Sequence, residues 1–193
     1  LDQEGPCLVI TPPSLGAVWR EQIRRWLPDI RTTDVQLVMS ARDRPLAKAR
    51  IVIVSYPLFA RLPKIYGATG HGQPWQIVVC DEAHYLRNPT TQRSKALLPV
   101  IGAAKRVVLV TGTPTPKHAS EAFTLLNALK PLSCTHREWC DRYGTEQTEN
   151  RREPEVAALL LEVMVRRAKV DVWAELPQMS RQRILLQLPA TSV

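Results

Sequence analysis

Five short apolar runs constrain the fold of this chain more than any other feature of its sequence. They are rich in Val and Ile, and most are continuous rather than alternating between apolar and polar residues. Continuous apolar strands are typical of parallel sheets that are buried on both faces. The runs occupy residues 7–11, 35–39, 51–56, 77–80 and 106–111. Because helical or turn-rich segments separate them, the sequence predicts an α/β fold, a doubly wound parallel sheet flanked by helices.

A helix is predicted between the first two runs. Ser14 can serve as its N-cap, and Pro28 would end it. Apolar residues recur there at spacings of three and four, which predicts one buried helix face. The residues of that face are Leu15, Val18, Trp19, Ile23, Trp26 and Leu27. Both tryptophans are interpreted as core residues.

Turn and capping residues allow three further segments to be interpreted. Residues 63–75 combine glycines with prolines, which predicts an exposed loop. Residues 119–129 predict a helix, and Thr135 with Glu138 forms a capping box that opens a short helix through Tyr143. A polar stretch then leads to an apolar helix from Glu155 onward.

Composition narrows the partners and the compartment. Lys and Arg outnumber Asp and Glu by 26 to 18, giving a formal charge of +8. This balance favours a polyanionic partner such as nucleic acid, but solubility alone could also explain it. No apolar run is long enough to span a membrane, and no signal peptide is visible at the start. The four cysteines show no disulfide framework, which fits a reducing compartment.

An acidic pair follows the fourth apolar run. Residues 76–88 read QIVVCDEAHYLRN, so Asp81 and Glu82 stand at the carboxyl end of a buried strand, where α/β sheets bind nucleotides. Nucleotide hydrolysis needs one carboxylate that holds Mg²⁺, usually through its waters, and a second group that orients or deprotonates the attacking water. Asp81 suits the first role and Glu82 the second, while His84 could relay the nucleotide state. Alternatively, the two carboxylates cap the next helix or lie solvated.

Hydroxyl-bearing turns follow three other runs. Thr111, Gly112 and Thr113 leave the fifth run, so their hydroxyls are expected at the same sheet edge as the acidic pair, within reach of phosphate or a carboxylate. The turns after the first and third runs predict phosphate contacts on a nucleic-acid strand. Their residues are Thr11, Pro12, Ser14, Ser55 and Tyr56. Each turn can also be an ordinary strand-to-helix connection, in which Ser, Thr and Pro serve as capping residues.

Taken in order, these motifs resemble helicase superfamily II and, within it, the Swi/Snf-related ATPases. The resemblance extends from Cys7 to about Pro189 and rests on LVITPPSLGAVWREQIRRWLP, IVIVSY, VVCDEAHYLRN, VLVTGTPTP and VMVRRAKVDVWAELP. DEAH and TGTP are common to the superfamily, whereas WREQIRRWLP, LRNP and RRAKVDVWAELP resemble the Swi/Snf group in particular. Within that group, Trp19 and Trp26 with WLP, and RQR at residues 181–183, are more similar to the annealing-helicase, fork-remodelling branch than to the nucleosome remodellers.

The resemblance implies a role for each segment. The fold would be the first RecA-like lobe of a two-lobe motor that uses ATP and Mg²⁺. Asp81 and Glu82 would be the catalytic Walker B pair, with Asp81 on Mg²⁺ through water and His84 as the coupling residue. Thr111, Gly112 and Thr113 would link the nucleotide state to DNA binding. The DNA-binding residues would be Thr11, Pro12, Ser14, Ser55, Tyr56, Arg87, Asn88, Arg166, Arg167 and Lys169.

The sequence departs from a complete motor in two ways. It contains no Walker A loop, the glycine-rich segment with Lys that cradles a triphosphate, and no second lobe follows. With Leu1 in first position, this predicts an excised piece of a longer protein that does not hydrolyse ATP by itself. Residues 1–150 would form the partial lobe, and residues 151–193 a helical segment and connector to the absent second lobe.

The expected function is part of an ATP-dependent translocase on duplex DNA. It would remodel or reanneal DNA, or protein–DNA complexes, in repair, replication or chromatin. The implied partners are duplex or forked DNA, the second lobe in cis, and replication, repair or chromatin proteins, in the nucleus or in a bacterial nucleoid. Two alternatives stay open: an RNA helicase of the same superfamily, and a non-catalytic nucleic-acid-binding or scaffold module that kept the fold and lost the motor.

Overall fold

A computed structural model describes residues 5–113, 118–144, 152–167 and 182 of the chain. The chain divides into two compact units, Leu1–Val163 and Met164–Val193. Of the second unit, only residues 164–167 and 182 are described. All strands and helices named below belong to the first unit.

The first unit is built on one parallel sheet. Its strands are β1 (Cys7–Thr11), β2 (Val35–Leu37), β3 (Ile51–Ser55), β4 (Ile77–Cys80) and β5 (Arg106–Leu109). They lie in the order β2-β3-β1-β4-β5, and every neighbouring pair is parallel. β5 is an outer strand whose Val108 is 48% exposed. The predicted parallel sheet is confirmed; two strands have the predicted bounds, and the other three end one or two residues early.

Helices cover both faces of this sheet. They are α1 (Gly16–Trp26), α2 (Tyr56–Arg61), α3 (Pro63–Tyr66), α4 (Gln92–Ala103), α5 (Ala122–Leu129), α6 (His136–Tyr143) and α7 (Glu153–Leu161). One buried cluster contains Val9, Ile53 and Ile23 of α1, and the other contains Leu8 and Phe59 of α2. Successive strand residues enter opposite clusters, which explains why the strands are continuously apolar. None of the described helices is long and apolar enough to cross a membrane.

The start of α1 differs from the sequence prediction. A 3₁₀ turn, Pro13–Leu15, precedes the helix, and the residue at the N-cap position is Leu15. Neither this cap nor the cap of the 3₁₀ turn carries a side-chain hydrogen bond. The predicted Ser14 cap is therefore wrong, because Ser14 lies within the 3₁₀ turn and α1 begins only at Gly16.

The buried face of α1 is narrower than predicted. Trp19 and Leu27 pack partly buried against the cluster of Ile23, but Val18 is exposed and Trp26 is 72% exposed. The core interpretation is wrong for these two residues. Neighbouring residues of a helix point about 100° apart, so Val18 is turned away beside Trp19. Leu27 packs inward from a non-helical position directly after the end of α1.

Residues 63–75 are anchored more firmly than an exposed loop. Tyr66 and Trp75 are fully buried, and the indole N–H of Trp75 donates to the carbonyl of Tyr66 at 2.8 Å. Residues 63–66 form the one-turn helix α3, and the exposed residues of the segment are Lys64 and residues 70–74. The loop prediction is wrong at both ends, because it rests on the glycines and prolines and takes no account of the buried Tyr66 and Trp75.

The helices after β5 agree with the sequence. The predicted helix at 119–129 consists of a 3₁₀ turn, Ala119–Glu121, followed by α5. The capping box of α6 is confirmed: Thr135 Oγ1 accepts the N–H of Glu138 at 3.3 Å, and the carboxylate of Glu138 accepts the N–H of Thr135 at 2.7 Å. α6 ends at Tyr143 as predicted.

The four cysteines are free and differ in burial. Cys7 and Cys80 are buried, whereas Cys134 and Cys140 are half-buried. Burial raises the pKa of the Cys7 thiol to about 12 and raises the pKa of Cys80 as well. Burial and the nearby Asp141 also raise the pKa of Cys140. Because the thiolate is the reactive form, we expect a thiol reagent at about pH 8 to modify the accessible Cys134 first. Mass spectrometry with and without denaturant would check this, and early modification of Cys80 would contradict its burial.

Candidate functional site

The carboxyl edge of the sheet brings the sequence-predicted site residues together. Ile10 of β1 pairs with Cys80 of β4, which pairs in turn with Leu109 of β5. The segments that follow these strands therefore leave the sheet at the same level. The N–H of Asp81 donates to the carbonyl of Ile10 at 2.8 Å, and the N–H of Ala83 donates to that of Val110 at 2.8 Å. These bonds fix the acidic pair between the turns that follow β1 and β5.

Asp81 is held through each of its polar groups. Carboxylate Oδ1 accepts the N–H of Glu82 at 2.9 Å, and Oδ2 accepts the indole N–H of Trp19 at 2.7 Å. Its carbonyl accepts the hydroxyl of Tyr56 at 2.8 Å. The sequence predicts neither aromatic partner, because its patterns place Trp19 in the core and Tyr56 at a nucleic-acid contact.

Glu82 has a backbone conformation that is unusual for its residue type. It lies in the left-handed region at φ 50° and ψ 49°, and it is the only non-glycine residue with positive φ in the described part of the chain. Such a conformation costs roughly 1–3 kcal/mol and persists where surrounding contacts enforce it, often at functional sites. The sharp turn leaves the Glu82 side chain 41% exposed, beside His84.

His84 joins the acidic pair to the turn after β5. Its Nδ1 lies 3.1 Å from Glu82 Oε2 and 3.3 Å from Thr111 Oγ1. Thr111 Oγ1 also accepts the N–H of Thr113 at 3.2 Å. Side chains from two strand ends thus form one chain of contacts. Gly112 lies in this turn, and apart from its two chain neighbours no atom of the described residues stands within 4 Å of the position a Cβ would take there.

The two hydroxyl-bearing turns after β1 and β3 are only partly accessible. Thr11 and Pro12 are buried, and the hydroxyl of Thr11 donates to the carbonyl of Pro12 at 3.0 Å. Ser14 is exposed and Ser55 is half-buried. Tyr56 is buried, with its hydroxyl turned to Asp81. Ser14 and Ser55 are thus the members of this group with side chains open to a ligand.

A stack of side chains that sequence reasoning missed borders these turns. The ring of Tyr85 is stacked on that of Tyr56 with centroids 5.2 Å apart, and the guanidinium of Arg93 lies 5.1 Å from the Tyr85 centroid. The three residues, with Pro13 and Pro57, line a cleft of about 300 Å³. The sequence signal for this stack is Tyr85, the aromatic residue directly after DEAH.

Arg87 and Asn88 are engaged with the protein itself. Arg87 Nε lies 3.1 Å from Glu121 Oε1, and its carbonyl accepts the hydroxyl of Thr124 at 2.9 Å. The side-chain oxygen of Asn88 accepts the N–H of Thr90 at 2.9 Å. These contacts fix the chain between DEAH and α4.

The predicted basic segment belongs mainly to the second unit. Arg166 and Arg167 are exposed there, and Lys169 lies outside the described residues.

The donor set of the acidic pair fits a hydrated Mg²⁺. A carboxylate offers about four lone-pair positions, of which two on Asp81 are occupied by N–H donors and two stay open to water. Mg²⁺ keeps several of its waters and needs only one or two protein carboxylates. Among the described residues, no group of three or more His, Cys, Asp or Glu side chains is placed to hold a metal ion.

The sheet and its acidic edge define a class of protein. A five-stranded parallel sheet with helices on both faces, and with an Asp-Glu pair directly after the strand beside the central one, is a RecA-like α/β lobe. A solved structure supports this fold: the chain is similar to the Sulfolobus solfataricus SWI2/SNF2 ATPase core in complex with dsDNA, with a TM-score of 0.68 and 24% identity. The match covers 87% of this chain and 35% of that chain.

The sequence places the chain within that class. Residues 2–192 match the SNF2-related domain, so the chain belongs to the SNF2-related domain family. It is 33% identical to the SWI/SNF-related matrix-associated actin-dependent regulator of chromatin subfamily A-like protein 1 of Xenopus tropicalis, over 95% of this chain and 20% of the relative. It is 31% identical to the DNA annealing helicase and endonuclease ZRANB3 of Mus musculus, over 99% of this chain and 19% of the relative. The resemblance inferred from the motifs is confirmed, and the chain spans about a fifth of these relatives.

Proposed function

We propose that the chain is part of the first motor lobe of an ATP-dependent translocase on duplex DNA that remodels or reanneals branched DNA. Membership of the SNF2-related family implies nucleotide use, and one relative is named a DNA annealing helicase. The observation that carries the proposal is the acidic pair, fixed at the carboxyl edge of the sheet and joined through His84 to Thr111. We also propose a nuclear location, which is supported by the relative that is named a regulator of chromatin.

The acidic pair would perform the hydrolytic chemistry. Asp81 would hold Mg²⁺ through its waters, and Glu82 would orient or deprotonate the attacking water with its partly exposed carboxylate. Mg²⁺, when bound with ATP, would neutralise charge that develops on the phosphates. The site chemistry requires a triphosphate cradle and a second lobe, and we propose that the full-length protein supplies them.

His84 would link hydrolysis to nucleic-acid binding. Its Nδ1 contacts both Glu82 and Thr111, so a change in the contacts of Glu82 can alter the turn at residues 111–113. Gly112, with no described side chain packed against it, would let this turn change conformation at low cost. The nucleotide state would thus shift this short segment between two ordered conformations.

DNA phosphates would meet the same edge of the lobe. Ser14 and Ser55 offer accessible hydroxyls, and the charge of +8 would attract the polyanion. Thr11, Pro12 and Tyr56 would act by shaping these turns, because their side chains are buried. Arg87 and Asn88 would support the edge from within, and Arg166, Arg167 and Lys169 would add positive charge further along the chain.

ATP turnover by the full-length protein tests this function. It would be measured without nucleic acid and with duplex DNA, forked DNA and RNA at matched nucleotide concentration. We expect duplex or forked DNA to stimulate turnover by about tenfold or more, a change of about 1.4 kcal/mol in the activation barrier. Equal stimulation by RNA would favour the RNA helicase, and no turnover under any condition would favour the non-catalytic module.

A further inference from the structure

The indole of Trp19 connects α1 to the acidic pair. Trp19 stands 62 residues before Asp81 in the chain, and its Nε1–H donates to Oδ2 of that carboxylate at 2.7 Å. The rest of the ring packs partly buried against the cluster that contains Val9 and Ile23. Nε1 is the only polar atom of an indole, so packing and hydrogen bond together set the direction of the donor.

The contact restrains the carboxylate of Asp81 as a whole. One oxygen accepts the indole N–H and the other accepts the N–H of Glu82 at 2.9 Å. With one donor on each oxygen, rotation of the carboxylate plane would break at least one hydrogen bond. The open lone pairs are thereby held in fixed directions before any ligand arrives, which lowers the reorganisation needed on binding.

The chemical nature of the donor suits this task. Lys or Arg in the same place would also orient the carboxylate, but a positive charge there would weaken its attraction for a cation. An indole is neutral and donates only, so Asp81 keeps its full negative charge. The hydrogen bond therefore orients the carboxylate without neutralising it.

We propose that Trp19 is a positioning residue, which fixes the Asp81 carboxylate for the hydrated Mg²⁺ of a bound nucleotide. This inference rests on the proposed function, because it takes Asp81 as the Mg²⁺ residue. α1 follows directly on the turn that contains Ser14, so the helix that carries this donor also begins where nucleic acid would meet the lobe.

The test is the Mg²⁺ dependence of nucleotide binding in the full-length protein. Equilibrium binding of a fluorescent ATP analogue would be measured across a Mg²⁺ titration, in a Glu82→Gln background that prevents turnover. We expect Trp19→Phe to raise the Mg²⁺ concentration at half-maximal binding by about tenfold, as loss of a hydrogen bond to a charged group implies. Binding at saturating Mg²⁺ should change by less than about twofold, since the proposal places Trp19 on the carboxylate and not on the nucleotide.

Two further variants separate positioning from a structural effect. Trp26→Phe makes the same substitution in the same helix, but the indole of Trp26 donates to Gln22 instead. It should leave the Mg²⁺ midpoint unchanged. In an Asp81→Asn background, Trp19→Phe should produce no additional shift, because the carboxylate that it positions is gone.

The outcomes distinguish this inference from its premise. An unchanged Mg²⁺ midpoint in Trp19→Phe, with Mg²⁺-dependent binding intact in the parent, would overturn the role of Trp19 alone. Equal weakening at every Mg²⁺ concentration, with a lower melting temperature, would also overturn it, since that pattern indicates structural damage. Absence of Mg²⁺-dependent nucleotide binding in the parent would overturn both the inference and the proposed function.

Discussion

Glu82→Gln in the full-length protein is expected to lower DNA-stimulated ATP turnover by about 100-fold to 10,000-fold, the contribution typical of a general base. The amide has nearly the same shape but cannot take a proton from water. Gln and Glu have similar backbone preferences at the left-handed position of Glu82, so the turn that places Ala83 and His84 is retained. Nucleotide binding should therefore be preserved within about threefold, because the lost interaction belongs to the transition state. Turnover and binding would be measured on the same preparation.

The matched control for this prediction is Glu162→Gln. Glu162 is exposed, and its carboxylate lies 2.8 Å from Lys130 Nζ in a surface ion pair. Such pairs contribute about 0–1 kcal/mol, so this variant should turn over ATP at the parent rate. Turnover of Glu82→Gln close to that of Glu162→Gln would refute the role given to Glu82.

Trp75→Ala is expected to lower the free energy of unfolding by about 3–5 kcal/mol, the usual cost of removing a buried aromatic side chain. Trp75 is fully buried in the larger cluster, and its indole N–H satisfies the carbonyl of Tyr66. The substitution would leave both a cavity and an unpaired carbonyl. Urea denaturation followed by circular dichroism would measure the change.

Trp26→Ala provides the comparison on an exposed tryptophan. Trp26 is 72% exposed, and its only described hydrogen bond is to Gln22. Surface substitutions of this kind usually change stability by less than about 0.5 kcal/mol. Similar losses in the two alanine variants would contradict the difference in burial.

The strands could be predicted because a strand that is buried on both faces has a nearly continuous run of apolar residues. Every residue of β1 is buried, and four of its five residues are apolar. The burial of single aromatic residues leaves no such pattern. Trp26 fits the apolar spacing of α1 yet points to solvent, and Trp75 follows a glycine-rich segment yet is buried. The spacing of apolar residues identifies one face of a helix. How much of that face is buried depends on the elements that pack against it.

The sequence predicts those residues of the site whose positions are set by the ends of the parallel strands. Parallel strands bring Asp81 and Thr111 to one edge, and their types suggested the chemistry. The hydrogen bond from Trp19 to Asp81 and the stack of Tyr85 on Tyr56 depend on how α1 and α2 are rotated against the sheet. A sequence pattern does not specify that rotation to the accuracy of a hydrogen bond.

The outer position of β5 has a practical consequence for work with this chain by itself. Among the described residues, no strand pairs with its outer side, and Val108 and Val110 are exposed beside it. The outer edge of a sheet is a template onto which another chain can add a strand. We expect self-association of the isolated chain at high concentration to begin at β5, by addition of a strand from a second copy.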